Sequence, residues 1–266
     1  MPLLDLLILA LIQGITEFLP ISSSGHLILL PALTGHEDQG VVLDVAVHVG
    51  TLVAVVLYFR SDVAVAVRGS RDVLGGRLTT PGAHLAISLA LATVPVVIFG
   101  LFLKVTGLSE GMRSITVIGW TMLVFGLVLY WADRIGPQSR AANQWTFRHA
   151  IIMGLWQALA LIPGTSRSGI TITGARFLGY DRVSAARLSM LMSIPTILMA
   201  GALIALDIPP SSTEVWRDAA IAAVLAGFAA LAALVLMIRL LEKVSYTPYV
   251  IYRVVLGIVL LTIAYT

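Results

Sequence analysis

No cysteine occurs in the 266 residues, which excludes disulfides and thiolate metal ligands and implies neither a reducing nor an oxidising compartment. Charge is also scarce. Asp, Glu, Lys and Arg make up 12% of the chain against 58% apolar residues, and mean hydropathy is +0.96. Soluble domains carry roughly a quarter charged residues, so a soluble globular domain is excluded. The first forty residues contain no Lys or Arg. With Asp5 where a basic n-region belongs and no Ala-x-Ala type cleavage site, the N-terminus is expected not to be a cleaved signal.

What is abundant is apolar sequence in runs of spanning length, about 17 to 25 residues. Six stretches qualify: Val41 to Phe59, Leu85 to Phe102, Ile115 to Trp131, Leu188 to Leu206, Ala219 to Ile238 and Val250 to Tyr265. Two further regions, Leu3 to Leu33 and Ala150 to Leu178, are broken midway by Pro, Gly and Ser and keep only half-length apolar arms. Broken backbone at membrane depth is tolerated where protein or a wet cavity satisfies it, so these two regions read as re-entrant helical hairpins.

The basic residues fix an orientation, because Lys and Arg accumulate in short cytoplasmic loops. Arg60, Arg68, Arg71 and Arg77 follow the first span, Arg134, Arg140 and Arg148 occupy the central loop, and Arg239 and Lys243 precede the last span. The intervening loops have fewer: Lys104 with Arg113, and Arg217 alone. This alternation puts both termini outside and hangs the two hairpins from opposite faces. It also accounts for the net charge of +3 without a nucleic-acid partner. Trp120, Trp131, Trp145 and Trp216 read as interface anchors, and Arg253, near the cytoplasmic end of the last span, as a snorkelling anchor.

The hairpins carry matching polar clusters, Ser22-Ser23-Ser24-Gly25-His26 and Ser166-Arg167-Ser168-Gly169, each just behind a proline. Aligning Gly25 with Gly169 superposes Gln13 on Gln157 and Leu11-Ile12 on Leu155-Trp156. The chain therefore reads as an internal repeat of inverted topology, an arrangement in which paired interruptions mark a binding site. Repeat 1 runs over about residues 1–132 with its hairpin at 3–33. Repeat 2 covers about 149–266 with its hairpin at 150–178, and a cytoplasmic linker fills 133–148. All of it forms one all-α integral membrane domain.

Ser and Gly also serve as helix caps and close helix crossings. The presence of Glu17, His26 and Arg167 at membrane depth points instead to function. A Ser/Gly turn opening a helix offers N–H groups, hydroxyls and the positive helix end to an anion such as phosphate. Ser22, Ser24, Gly25, Thr165, Ser166, Ser168, Gly169 and Thr171 are the candidate phosphate cradle, with Arg167 as a planar fork. Gln13 and Glu17 lie one helical turn apart. Glu17 could bind a divalent ion or act as base, Ser23 could attack phosphorus, and His26 could activate it or be the nucleophile itself. His48, one turn after Asp44, either lines the site or pairs with that aspartate.

At these residues the sequence resembles the BacA-type undecaprenyl pyrophosphate phosphatases along its whole length. Their first signature, Glu or Gln, three residues, then Glu, is met by Gln13 and Glu17 within QGITEFLPISSSGH. Their second, PGxSRSxxT, is met at every fixed position from Pro163 to Thr171. The resemblance implies hydrolysis of undecaprenyl diphosphate to undecaprenyl phosphate and inorganic phosphate at the outer face of the bacterial cytoplasmic membrane. It also implies a divalent cation, Mg2+ or Ca2+, and bacitracin resistance. Glu17, Ser23, His26, Ser166, Arg167 and Thr171 fall on its functional positions. Gln13 is an amide where many relatives have a glutamate, so it cannot be an anionic ligand.

Two rivals differ in kind. Inverted repeats with broken hairpins also build secondary transporters and flippases, which need fewer reactive groups than Ser23, His26, Glu17 and Arg167 provide. The acid-phosphatase type of lipid phosphatase requires a histidine and an aspartate where this chain has Thr173 and Phe177. A homodimer is compatible with the sequence, and nothing in it demands one. The expected mechanism uses Ser23 as nucleophile with His26 as its base, or a water directed by Glu17 and His26.

Overall fold

The computed structural model describes residues 2–34, 40–112, 114–205 and 212–266. These form twelve α-helices: α1 (Leu3–Thr16), α2 (Ser23–Thr34), α3 (Val41–Tyr58), α4 (Arg60–Leu74), α5 (Pro81–Thr106), α6 (Leu108–Gly111), α7 (Ile115–Ile135), α8 (Phe147–Ala158), α9 (Arg167–Phe177), α10 (Arg182–Ala205), α11 (Thr213–Leu241) and α12 (Thr247–Tyr265). No strand occurs among the described residues, where one isolated bridge joins Arg140 to Tyr180. Six helices, α3, α5, α7, α10, α11 and α12, are long and apolar enough to cross a membrane. The molecule is a multi-pass membrane protein. The six are those expected: α3 covers the expected run to within one residue, and the other five begin earlier or end later than the apolar runs. Ser114, Ser212 and Thr80 accept hydrogen bonds from the N–H groups of Val117, Val215 and Ala83, which satisfies amides that a helix start leaves open. Arg113 and Leu206, at the edges of expected loops and spans, lie outside the described residues.

α1 and α8 are short, at 14 and 12 residues, and each leads into a turn and a second short helix. Both lean on a long partner through a glycine. A Cβ on Gly14 of α1 meets the Ala226 carbonyl of α11 at 2.6 Å, and one on Gly154 of α8 meets the Ala92 carbonyl of α5 at the same distance. Glycine lets two backbones approach where lipid offers no hydrophobic drive. The main buried cluster then joins both turns to the long helices. Phe18 of the first turn packs in one cluster with Met153 of α8, Ile172 of α9, Met190 of α10 and Leu234 of α11.

Three expectations change. Residues 60–74, read as a basic loop, form α4, whose Asp62 accepts a hydrogen bond from Arg187 Nε of α10 at 3.2 Å. Trp145 is no interface anchor: it is 4% exposed and lies in the main core cluster, whereas Trp120, Trp131 and Trp216 are about half exposed. Arg253 does not snorkel. It is fully buried in α12, because both turns surround it with backbone carbonyls. Asp133 at the end of α7 accepts from Arg176 Nε at 3.1 Å, Arg182 Nε at 2.9 Å and the Tyr246 N–H at 3.3 Å, so one carboxylate ties α7, α9, α10 and the start of α12 together.

Candidate active site

The two turns are built alike. Ser22 and Ser166 have φ of 74° and 70°, the only non-glycine residues with positive φ among those described, a conformation uncommon for L-residues. In the first turn the Gly25 N–H donates to Ser22 Oγ at 3.3 Å, and in the second the Gly169 N–H donates to Ser166 Oγ at 3.1 Å. Ser22 and Ser24 hydroxyls lie 3.4 Å apart, those of Ser166 and Ser168 3.2 Å. Gln13 and Gln157 are both fully buried, each with its side-chain carbonyl oxygen unpartnered. The same strained cap thus opens α2 and α9, and a helix start of this kind attracts anions.

Glu17 is where the turns meet. Arg167 Nη2, 150 positions along the chain, donates to Glu17 Oε1 at 2.8 Å. Ser23 Oγ donates to Oε2 at 2.7 Å, Gln13 Nε2 donates to Oε2 at 3.0 Å, and His48 Nε2 stands 3.9 Å from that oxygen. The carboxylate is 6% exposed and the guanidinium 14%. The Arg167 guanidinium and the hydrogen bonds from Ser23 and Gln13 compensate the buried carboxylate. His48 therefore lines the site, while its Nδ1–H is anchored on the backbone carbonyl of Asp44 at 2.7 Å.

The remaining candidates hold the turns in place. Ser168 Oγ donates to the Leu19 carbonyl at 2.9 Å, joining the second turn to the first. Thr171, fully buried, bonds its hydroxyl to Ser189 Oγ at 2.6 Å and to the Arg167 carbonyl at 2.8 Å. The Ser189 carbonyl also takes a long bond of 3.5 Å from Arg167 Nη1. Thr165 is fully buried with its hydroxyl unpartnered, and Ser24 is exposed. His26 stands apart from the Glu17 cluster. Its Nδ1 is 2.6 Å from the Ser22 carbonyl and its Nε2 is 2.5 Å from the Tyr252 hydroxyl. In the structure Ser23 bonds to Glu17, so the expected pairing of Ser23 with His26 gives way to one of Ser23 with Glu17.

Sequence reasoning missed the contribution of α12. Arg253 donates to Pro20 of the first turn (3.4 Å), to Gly164 and Thr165 of the second (3.2 and 2.9 Å), and to Thr121 and Met122 of α7 (3.3 and 3.2 Å). A Cβ on Gly169 comes within 2.8 Å of Arg253 Nη1, so the glycine at that point in the motif leaves room for the guanidinium. An ionisable residue inside a span is a functional candidate by default, and that signal was present in the sequence.

No group of three or more His, Cys, Asp or Glu able to hold a metal occurs among the described residues. The donors the turns do offer are the Glu17 carboxylate and the buried, unpartnered Gln13 Oε1. They suit a hard cation that keeps water and substrate phosphates among its ligands.

A family model described as "Bacitracin resistance protein BacA" matches residues 6–259. Proteins named undecaprenyl-diphosphatase are similar over the full length of both chains: that of Dinoroseobacter shibae is 66% identical and that of Jannaschia sp. 65%. A more distant one, from Saccharophagus degradans, is 45% identical over 97% of this chain and 96% of its own.

Proposed function

This chain belongs to the BacA family of bacitracin resistance proteins, and on that premise we propose that the Glu17 cluster is the active site of an undecaprenyl-diphosphatase. The enzyme hydrolyses undecaprenyl diphosphate to undecaprenyl phosphate and inorganic phosphate. The observation that carries the site is the 2.8 Å pair of Glu17 and Arg167, one residue from each turn. α1 with α2 and α8 with α9 act as re-entrant hairpins of an inverted repeat, open to the outer face of the bacterial inner membrane. The like-built turns support this reading, as does the excess of basic residues in the loops assigned to the cytoplasm.

The diphosphate lies between the turns with its lipid tail in the bilayer. The N–H groups at the starts of α2 and α9 meet its oxygens, and the Arg167 fork swings from Glu17 onto a phosphate. Losing that partner raises the basicity of Glu17 as the substrate arrives. Ser23 attacks the terminal phosphorus while its proton passes to Glu17 Oε2, and undecaprenyl phosphate leaves with the electrons of the broken P–O bond. Water then displaces the serine oxygen, which recovers a proton from Glu17, and phosphate departs. Glu17 and Gln13 would hold a divalent cation, Mg2+ or Ca2+, whose charge offsets that of the diphosphate.

The experiment is phosphate release by purified protein supplied with undecaprenyl diphosphate, with and without Mg2+ or Ca2+, comparing wild type with Ser23→Ala and Arg167→Ala. Cation-dependent release, reduced at least about a thousandfold in both variants, is expected where a nucleophile and a phosphate-binding arginine are removed. Near-normal turnover in Ser23→Ala shifts the attack to water, and no release by folded wild type overturns the reading.

A further inference from the structure

His26 is held at both ring nitrogens. The Ser22 carbonyl can only accept, so the proton belongs on Nδ1, and in the neutral ring Nε2 is left with a lone pair. The group facing that lone pair at 2.5 Å is the Tyr252 hydroxyl, on α12, the helix that also carries Arg253. The two rings are stacked, 5.7 Å between centroids and 10° from parallel. Neither contact involves Ser23, whose hydroxyl is committed to Glu17.

We propose that Tyr252 is a positioning residue of the active site, donating its O–H to His26 Nε2 so that the imidazole is fixed as the Nδ1–H tautomer in a set orientation. This deepens the phosphatase reading and rests on it. Tyr252 is 43% exposed, so a water or a protonated phosphate oxygen can reach and replace its hydroxyl at Nε2. The last helix thereby joins the two turns in setting the chemistry, with Arg253 beneath the turns and Tyr252 beside them.

Tyr252→Phe keeps the stacked ring and removes only the donor. The test compares wild type, Tyr252→Phe, His26→Gln and the double variant as full-length protein with undecaprenyl diphosphate, alongside 15N spectra of histidine-labelled wild type and single variants. In Tyr252→Phe, kcat is expected to fall about tenfold, the loss an ordinary hydrogen bond supports, with KM within about twofold and an unchanged thermal midpoint. The His26 Nε2 resonance, identified by its absence from His26→Gln, should move toward that of a nitrogen with no donor. In the His26→Gln background the Phe substitution should add no loss. Wild-type kcat in Tyr252→Phe, an unmoved resonance, or losses that multiply in the double variant overturn the positioning role. Absence of phosphate release by the wild type overturns the phosphatase reading instead, and the resonance then still decides whether Tyr252 holds His26.

Discussion

At the scale of single side chains, Glu17 is the residue on which most depends, since it accepts from Arg167, Ser23 and Gln13 at once. Glu17→Gln removes the charge with little change of shape and leaves Arg167 without its carboxylate. Phosphate release is expected to fall at least about a thousandfold while the detergent-purified protein keeps its elution profile and helical circular dichroism. Arg167→Lys preserves charge but offers a point in place of a fork, and kcat/KM should drop about a hundredfold in the same assay. Glu17, Ser23 and Arg167 were legible from the sequence because their chemistry is carried by residue type and spacing. Tyr252 and Ser189 were not. Their roles come from a single ring nitrogen and a single hydroxyl reached across helices, and no local pattern encodes such a contact. Arg253 was visible as an intramembrane charge, yet its partners are backbone carbonyls, which every sequence possesses.

At the scale of helices and turns, apolar run length sufficed for the six spans, because a bilayer imposes a minimum length that composition reveals. α4 escaped this logic. Its four-arginine neighbourhood resembles a loop, and it is helical because Asp62 and the helix face find partners on α10 and α5. The short helices depend on close approach. Gly14→Val should push α1 away from α11, since even a Cβ already lies 2.6 Å from the Ala226 carbonyl. A stability loss of roughly 1–3 kcal/mol is expected, seen as a lower thermal midpoint, together with reduced turnover because Glu17 follows directly on α1. The serine at the second turn permits a finer comparison. Ser166→Ala loses the cap and retains the positive φ of 70°, whereas Ser166→Gly loses the cap and relieves the strain. The Gly variant should therefore be the more stable of the two by about 1 kcal/mol in denaturant unfolding.

At the scale of the whole molecule, the buried Asp133 network fixes the adjoining ends of α7, α9 and α10, and so the base on which the second turn stands. Asp133→Asn leaves Arg176, fully buried, and Arg182 without a carboxylate. A loss of about 3–5 kcal/mol is expected, as for other buried pairs deprived of one partner, measurable as a large fall in the thermal midpoint. This network too was invisible in the sequence, because Arg176 and Arg182 lie 43 and 49 positions from the carboxylate they share. The likeness of the two turns has a further consequence. A diphosphate is itself nearly symmetric about its bridging oxygen, so two matched cradles alone would receive it equally well in either direction. In the aligned turns Glu17 is matched by Leu161, Ser23 by Arg167 and His26 by Ile170. Divergence of these few side chains breaks the equivalence, since Glu17, Ser23 and His26 have no like counterpart in the second turn and Arg167 has none in the first. On the proposed mechanism, regiochemistry, the choice of the terminal phosphorus over the lipid-bearing one, follows from the mismatches between two like-built turns.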